Sequence, residues 1–359
     1  MEVTEFPDKI GPATGGAEKD MNELKASGLP LVLYGDGWYA PYVREYLRRR
    51  GLSAAAVFTD AGFTASGEAV GFAEVNARFE RFNVVIAFAD ARLARAKLAR
   101  LDRARVAGVY FFDVMRELLG NNLDRAYLEA HQAQFGAAYD LLADSLSRET
   151  FLAFLGAAGG TAERLADLRR KEQYFPKGII ELTDREVFVD GGAYTGDTLL
   201  TFMRLTGGRC AHYHAFEPEA ANAAKLKATV ERRGLSGVTV HNEGLWSAPA
   251  ALPFAVWHGT SASAVSGAGG VSVRADTVDR AAPDATFIKL DIEGAELEAL
   301  KGAAGTIRRN RPKLAVCVYH RPGDLFEIPL FIKSLVPEYR FYLRQHQPVA
   351  CETVLYAVV

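Results

Sequence analysis

Five short apolar runs in the second half of the chain constrain its fold more than any other feature. They are EVFVDG (186–191), CAHYHAFEP (210–218), VTVHNEG (238–244), TFIKLDIEG (286–294) and KLAVCVYH (313–320), and the stretches between them have helical spacing. Unbroken apolar runs of this length suit strands covered on both faces. Strands alternating with helices imply βαβ units and a parallel sheet. Two further runs, YRFYLRQHQ (339–347) and CETVLYAVV (351–359), are joined by a link too short for a parallel crossover, so they predict an antiparallel hairpin finishing the sheet. A shorter series precedes these: LPLVLYGDG (29–37), AAAVFTD (54–60), FNVVIAF (82–88) and GVYFFDV (108–114). The expected architecture is α/β throughout. Residues 1–28 read as a mobile tail, 29–115 as a small Rossmann-like domain, 116–178 as a helical connector and 179–359 as the larger parallel-sheet domain.

Composition narrows the function classes. With 42 basic and 44 acidic residues the formal charge is −2, which gives no global field to attract nucleic acid or an anionic membrane. The arginines of 44–50 and 92–105 alternate with alanine and leucine, as on a solvated helix face over an apolar one. Cys210, Cys317 and Cys351 lie far apart, which suits reduced thiols better than disulfides or a metal knuckle. No charged-then-apolar leader and no apolar run of membrane-spanning length is present, so the expectation is a soluble cytoplasmic protein, with a homo-oligomer left open.

Ligands of open parallel sheets bind beyond the carboxyl ends of the strands. The residues there are Asp190, Gly191, Gly192, Ala193, Tyr194, Gly196, Asp197 and Thr198 after the first run, and Glu217 and Pro218 after the second. Asn242 and Glu243 follow the third, Asp291, Glu293 and Glu296 the fourth, and His320 and Arg321 the fifth. The glycine turn lacks the G-x-G-x-x-G dinucleotide spacing, and no P-loop G-x-x-x-x-G-K-[ST] exists. An acidic rim without a turn lysine is poorly suited to polyphosphate and well suited to a cationic ligand carrying a ribose. S-adenosylmethionine is such a ligand: it has no pyrophosphate, and its amino group and sulfonium are both positive. A carboxylate at Glu217 can accept both hydroxyls of the ribose.

EVFVDGGAYTGDT, AFEP, IKLDIEGAELEALKG, VYHRPGDLFEIP and the closing ETVLYAV together resemble the FkbM family of methyltransferases, over about residues 173 to 359. The resemblance implies a class I S-adenosylmethionine-dependent fold and O-methylation of a hydroxyl on a sugar or natural product. It puts the cofactor turn on Asp190 to Gly196, the ribose acid on Glu217 and the post-strand acid on Asp291. Tyr194 departs from the pattern, since many members carry asparagine there. The first domain resembles small nucleotide-binding modules only through YGDG, with Gly35, Gly37 and Asp60. Two other readings follow from these features: a redox enzyme using that turn, or a non-catalytic ligand-binding protein.

Methyl transfer to an alcohol calls for a general base. His320 ends an apolar strand at the rim and is the first candidate, with Asp291 the second. Glu293, Arg321, Arg344 and His346 are expected on the acceptor side. Asp291, Glu293, His320 and His346 could ligate a divalent ion, but no tight ligand spacing such as H-x-x-x-H favours one. The glycine- and serine-rich stretch 259–270 reads as a flexible loop that could close over substrate.

Overall fold

The computed structural model describes residues 16–60, 67–100, 103–118, 121, 123–157, 163–256, 263–265 and 271–359. Its N-terminal sheet is parallel, with β1 (Leu31–Tyr34), β2 (Ala56–Phe58), β3 (Phe82–Ile86) and β4 (Val106–Tyr110) in the order β2-β1-β3-β4. Period-two alternation sends Leu31, Leu33 and Val85 to one face and Val32, Tyr34, Val84 and Ile86 to the other. Both faces are buried, which is why the runs are apolar without a break.

The C-terminal sheet has seven strands. They are β5 (Val187–Gly191), β6 (His212–Phe216), β7 (Val238–His241), β12 (Phe287–Leu290), β13 (Lys313–Cys317), β14 (Arg340–Gln345) and β15 (Thr353–Val358), in the order β14-β15-β13-β12-β5-β6-β7. Pairings from β13 through β7 are parallel, and those of β15 with β13 and β14 are antiparallel, as the short link at 346–352 requires. The chain runs outward from β5 to β7 and returns beside β5 as β12. The strand order therefore reverses between β5 and β12, and a crevice opens at their carboxyl ends.

Three features depart from the sequence expectations. Within the expected tail, Gly16–Ala26 form a helix whose Met21 and Leu24, three positions apart, are buried in the core. A four-stranded sheet of β8 (Gly244–Leu245), β9 (Ala250–Val256), β10 (Ser263–Val265) and β11 (Val271–Asp276) is inserted between β7 and β12. The expected flexible loop at 259–270 lies mostly outside the described residues, but Ser263–Val265 is a strand paired antiparallel with β9. The connector is helical, and it also completes the edge of the large sheet. Ala143 N–H donates to Phe341 O at 2.8 Å and Arg170 N–H to Gln345 O at 2.7 Å, and one apolar cluster runs from Met21 through the connector to Tyr356.

Candidate functional site

The glycine turn shapes one wall of the crevice. Gly192 and Ala193 N–H both donate to Phe216 O at 3.0 Å, tucking the turn under the end of β6. At Gly192 φ is +74°, and a Cβ would fall 1.9 Å from Asp291 O, so only glycine fits. The turn leads into the helix Asp197–Leu205, whose first residues Asp197 and Thr198 face a pocket of about 350 Å³.

Glu217 forms the opposite wall. Its Oε2 accepts Tyr194 N–H and its Oε1 accepts Glu219 N–H, both at 2.9 Å. Burial pushes its pKa up to about 7 although both amides favour the charge. Beside it the inserted sheet contributes Leu252, Phe254 and Val273, which with Leu245 and Phe216 make an apolar slot. Pro218 and Asn222 line the same end, and Asn242 Nδ2 donates to Glu217 O at 2.9 Å and to Pro218 O at 3.1 Å.

The far end is the more polar. Asp291, Glu293 and Glu352 line it with Tyr174, Tyr319 and Lys289. Tyr174 Oη donates to Asp291 Oδ2 at 2.7 Å and Tyr319 Oη to Oδ1 at 3.3 Å. Burial alone would raise the pKa of Asp291, yet Lys289 and His320 hold it below the usual carboxylate range. Glu293 is the opposite case: burial, reinforced by Asp291 and Glu296, lifts its pKa to about 7 although His320 and Lys289 favour its charge. Its φ of +55° turns its carboxylate into the pocket from the end of β12.

Lys289, Tyr174, Tyr319 and Glu352 had no place among the expected site residues. The Lys289 ammonium lies under the glycine turn, 2.9 Å from Gly191 O, 2.8 Å from Gly192 O and 3.0 Å from Asp190 Oδ1. Burial opposes its charge, but Asp190 and Asp291 outweigh that and raise its pKa. The missing turn lysine is thus supplied from the neighbouring strand, where Lys289 pairs in register with Asp190. The lining still carries five carboxylates, Asp197, Glu217, Asp291, Glu293 and Glu352, against this one cation.

Several expected contacts lie elsewhere. Asp190 is fully buried under the turn, bound by Tyr213 Oη at 2.5 Å and by Lys289. Ala193 is buried behind the wall, and Glu243 turns out to Arg274 on β11 at 3.1 Å. Arg321 packs over Gly294 and its N–H donates to Asp324 Oδ2 at 2.8 Å, so it props the turn after β12 from outside.

His320 is the main correction. It is 2% exposed, with Nδ1 2.9 Å from Glu296 Oε1 and Nε2 3.4 Å from Glu293 Oε2 and 3.7 Å from Asp291 Oδ1. Burial disfavours its charge, yet Glu296 and Glu293 raise its pKa to about 10. At neutral pH it is an imidazolium and cannot accept a proton. Asp291, Glu296 and His320 bring ligand atoms within 4.8 Å of one another, as do Asp291, Cys317 and Glu352. In the first group the histidine proton already balances the carboxylates.

Arg344 and His346 do not reach the pocket. Arg344 donates to Asp144 Oδ2 at 2.6 Å and to Ser147 Oγ at 2.8 Å, tying the connector to β14. Arg344→Ala is expected to lower stability by about 1–3 kcal/mol, since half-exposed Asp144 rehydrates in part. Thermal melts with donor titrations check this, and a weakened donor affinity would contradict it. His346 Nδ1 lies 2.9 Å from Arg170 O, so that nitrogen carries the proton, and Nε2 accepts from Tyr356 Oη at 2.9 Å. Tyr356 Oη in turn accepts Tyr174 N–H at 3.2 Å, so His346 holds Tyr174 in place from behind.

The N-terminal turn has a packing role. At Gly35 φ is +120° and a Cβ would lie 2.9 Å from Ala87 O, while Asp60 is occupied by Tyr34 Oη at 2.9 Å and by the Lys97 ammonium.

The buried acids make stability depend on pH. Glu217 and Glu293 titrate near 7 when folded and His320 near 10, against 4.5 and 6.5 ordinarily. All three pKa values are raised by folding. Their stabilisation is therefore complete below the unfolded values and lost as pH rises through the folded ones. The ligand-free protein should melt higher near pH 6 than near pH 9 by roughly 2–8 °C. A flat or rising profile over that window would contradict these ionisations.

Residues 190–347 match the model of the methyltransferase FkbM domain. The fold is shared with the crystal structure of a methyltransferase FkbM from Methylobacillus flagellatus KT, at TM-score 0.72 and 24% identity, over 99% of this chain and 96% of that one. An rRNA methylase from Streptococcus thermophilus aligns at TM-score 0.33 and 13% identity, over 55% of this chain and 93% of that one. No curated protein matches the chain. Among the described residues no helix is long and apolar enough to cross a membrane. With strand order, glycine turn and FEP acid in place, residues 190–347 match the family model of the methyltransferase FkbM domain, on a fold shared with a methyltransferase FkbM of known structure.

Proposed function

We propose that the protein transfers the methyl group of S-adenosylmethionine to a hydroxyl of a sugar, glycan or other natural product. The observation that carries this reading is Glu217, a buried carboxylate at the end of β6, fixed by two backbone amides beside an apolar slot. Its oxygens suit ribose hydroxyls, and Leu252, Phe254 and Val273 suit an adenine. Tyr194, Asp197 and Thr198, at the turn, suit the methionine end. The five carboxylates of the lining favour the donor's positive charges. When bound, the donor supplies an electrophilic methyl group, so the C–S bond breaks as the C–O bond forms.

Glu293 takes the proton of the acceptor hydroxyl. It lines the pocket, and a carboxylate with a pKa near 7 is well matched to proton transfer at neutral pH. Glu352 is also raised, but its carboxylate already accepts from the Gln173 amide. Asp291, fixed by two tyrosine hydroxyls, orients the acceptor, and His320 holds Glu293 and Asp291 from behind. Supplying tritiated S-adenosylmethionine with acceptor extracts fractionated by class tests the reading. Label in alkali-stable ethers of glycan or metabolite fractions supports it. Label in esters or amines alone, or none, overturns it.

A further inference from the structure

A second cavity, of about 620 Å³, adjoins the donor pocket and shares Tyr174, Asp197 and Thr198 with it. It follows the helix Asp197–Leu205 away from the crevice, between that helix and residues 171–182. Its charge is opposite to that of the donor pocket. Lys171, Lys177 and Arg204 line it, and none of their charged groups has a partner among the described residues. Glu172 and Asp197 are the acids in the lining, and Asp197 sits at the end shared with the donor pocket. Many other surface cations are paired, as Arg48 and Arg49 with Glu45, Arg50 with Glu117 and Lys313 with Glu186.

Resting on the donor assignment above, we infer that this groove binds the acceptor and that the acceptor is anionic, with a phosphate or carboxylate held by Lys177 and Arg204. The five-to-one excess of carboxylates in the donor pocket repels an anion, and the groove attracts it. The acceptor is thereby oriented with its neutral, hydroxyl-bearing end toward Glu293. Seven residues of helix separate Asp197 from Arg204, an axial distance of roughly 10 Å. An anion at Arg204 thus stands roughly 10 Å from the donor-pocket end of the groove, a span that a nucleoside-diphosphate sugar or an acidic oligosaccharide is long enough to cover.

The test titrates three probes into full-length protein saturated with S-adenosylhomocysteine: uridine diphosphate glucose, a glucuronate-containing trisaccharide and neutral maltotriose. At least one anionic probe should bind at least tenfold more tightly than maltotriose. The double variant Lys177→Glu/Arg204→Glu should lose at least tenfold of that affinity and keep its affinity for S-adenosylhomocysteine. The probe that binds separates phosphate from carboxylate as the group recognised. Equal binding of maltotriose, no binding of either anion, or anion affinity unchanged in the double variant overturns the inference. Failure of S-adenosylhomocysteine itself to bind would instead sink the donor assignment.

Discussion

Replacing Glu293 with glutamine lowers kcat by about 10²–10⁴-fold, the usual worth of a positioned general base. The substitution keeps the shape of the side chain and removes its ability to take a proton. It should leave affinity for S-adenosylhomocysteine within a factor of about three, because the proposed ribose and adenine contacts, at Glu217 and the apolar slot, do not involve Glu293. A base with a pKa near 7 must be ionised to act, so kcat/KM of the parent enzyme rises as pH increases through 7 and then levels. That rise should vanish in Glu293→Gln. His320→Gln separates this account from one in which the histidine is the base. It removes the imidazolium beside Glu293, so the inflection moves upward while the activity above it largely survives. Loss of activity at every pH in His320→Gln, with Glu293→Gln near normal, would return the base role to the histidine.

The second large effect is at Gly192. A Cβ there would overlap Asp291 O at 1.9 Å, and the residue has φ +74°. The left-handed backbone alone costs a non-glycine residue roughly 1–3 kcal/mol. The overlap must also push apart β5 and the end of β12, which carry the turn and the Asp291–Glu293 segment. Gly192→Ala should weaken S-adenosylhomocysteine binding by more than about 100-fold, equivalent to some 2.7 kcal/mol. Gly208→Ala is the control: its φ is +79°, but no atom lies within 4 Å of the added Cβ. It should lower stability modestly and leave binding intact. If the two variants bind alike, close packing of the turn against Asp291 is not what shapes the pocket.

The parts of the site legible in the sequence are those carried by one strand end at a time. Gly192, Tyr194, Asp197, Thr198, Glu217, Asp291 and Glu293 could be collected because each closely follows an apolar run, and the sheet brings run ends together. Residues whose roles depend on a second element were hidden. Lys289 reads as an interior residue of β12, and only its register with Asp190 shows that its ammonium reaches under the turn. Tyr174 comes from the segment before the sheet and Glu352 from the hairpin link, and neither has local spacing to mark it. The ionisation of His320 is set by Glu296 and Glu293, which come from a different strand end, so its position was readable and its charge was not. Arg344 and His346 look like rim residues of a hairpin until the connector is seen to cover that edge of the sheet. Within the inserted sheet, β10 was hidden because glycine- and serine-rich sequence around a three-residue strand gives almost no periodicity, whereas the apolar run of β9 and the alternation of β11 were readable and were passed over.

Calorimetric titration of S-adenosylhomocysteine into the full-length protein, alongside Glu217→Ala, tests the central claim most directly. Two hydrogen bonds from ribose hydroxyls to a buried carboxylate should make the parent bind one equivalent, with the variant about 10–100-fold weaker. Absence of binding to the parent at millimolar ligand, or equal affinity in both proteins, would contradict an adenosine-binding role for this crevice.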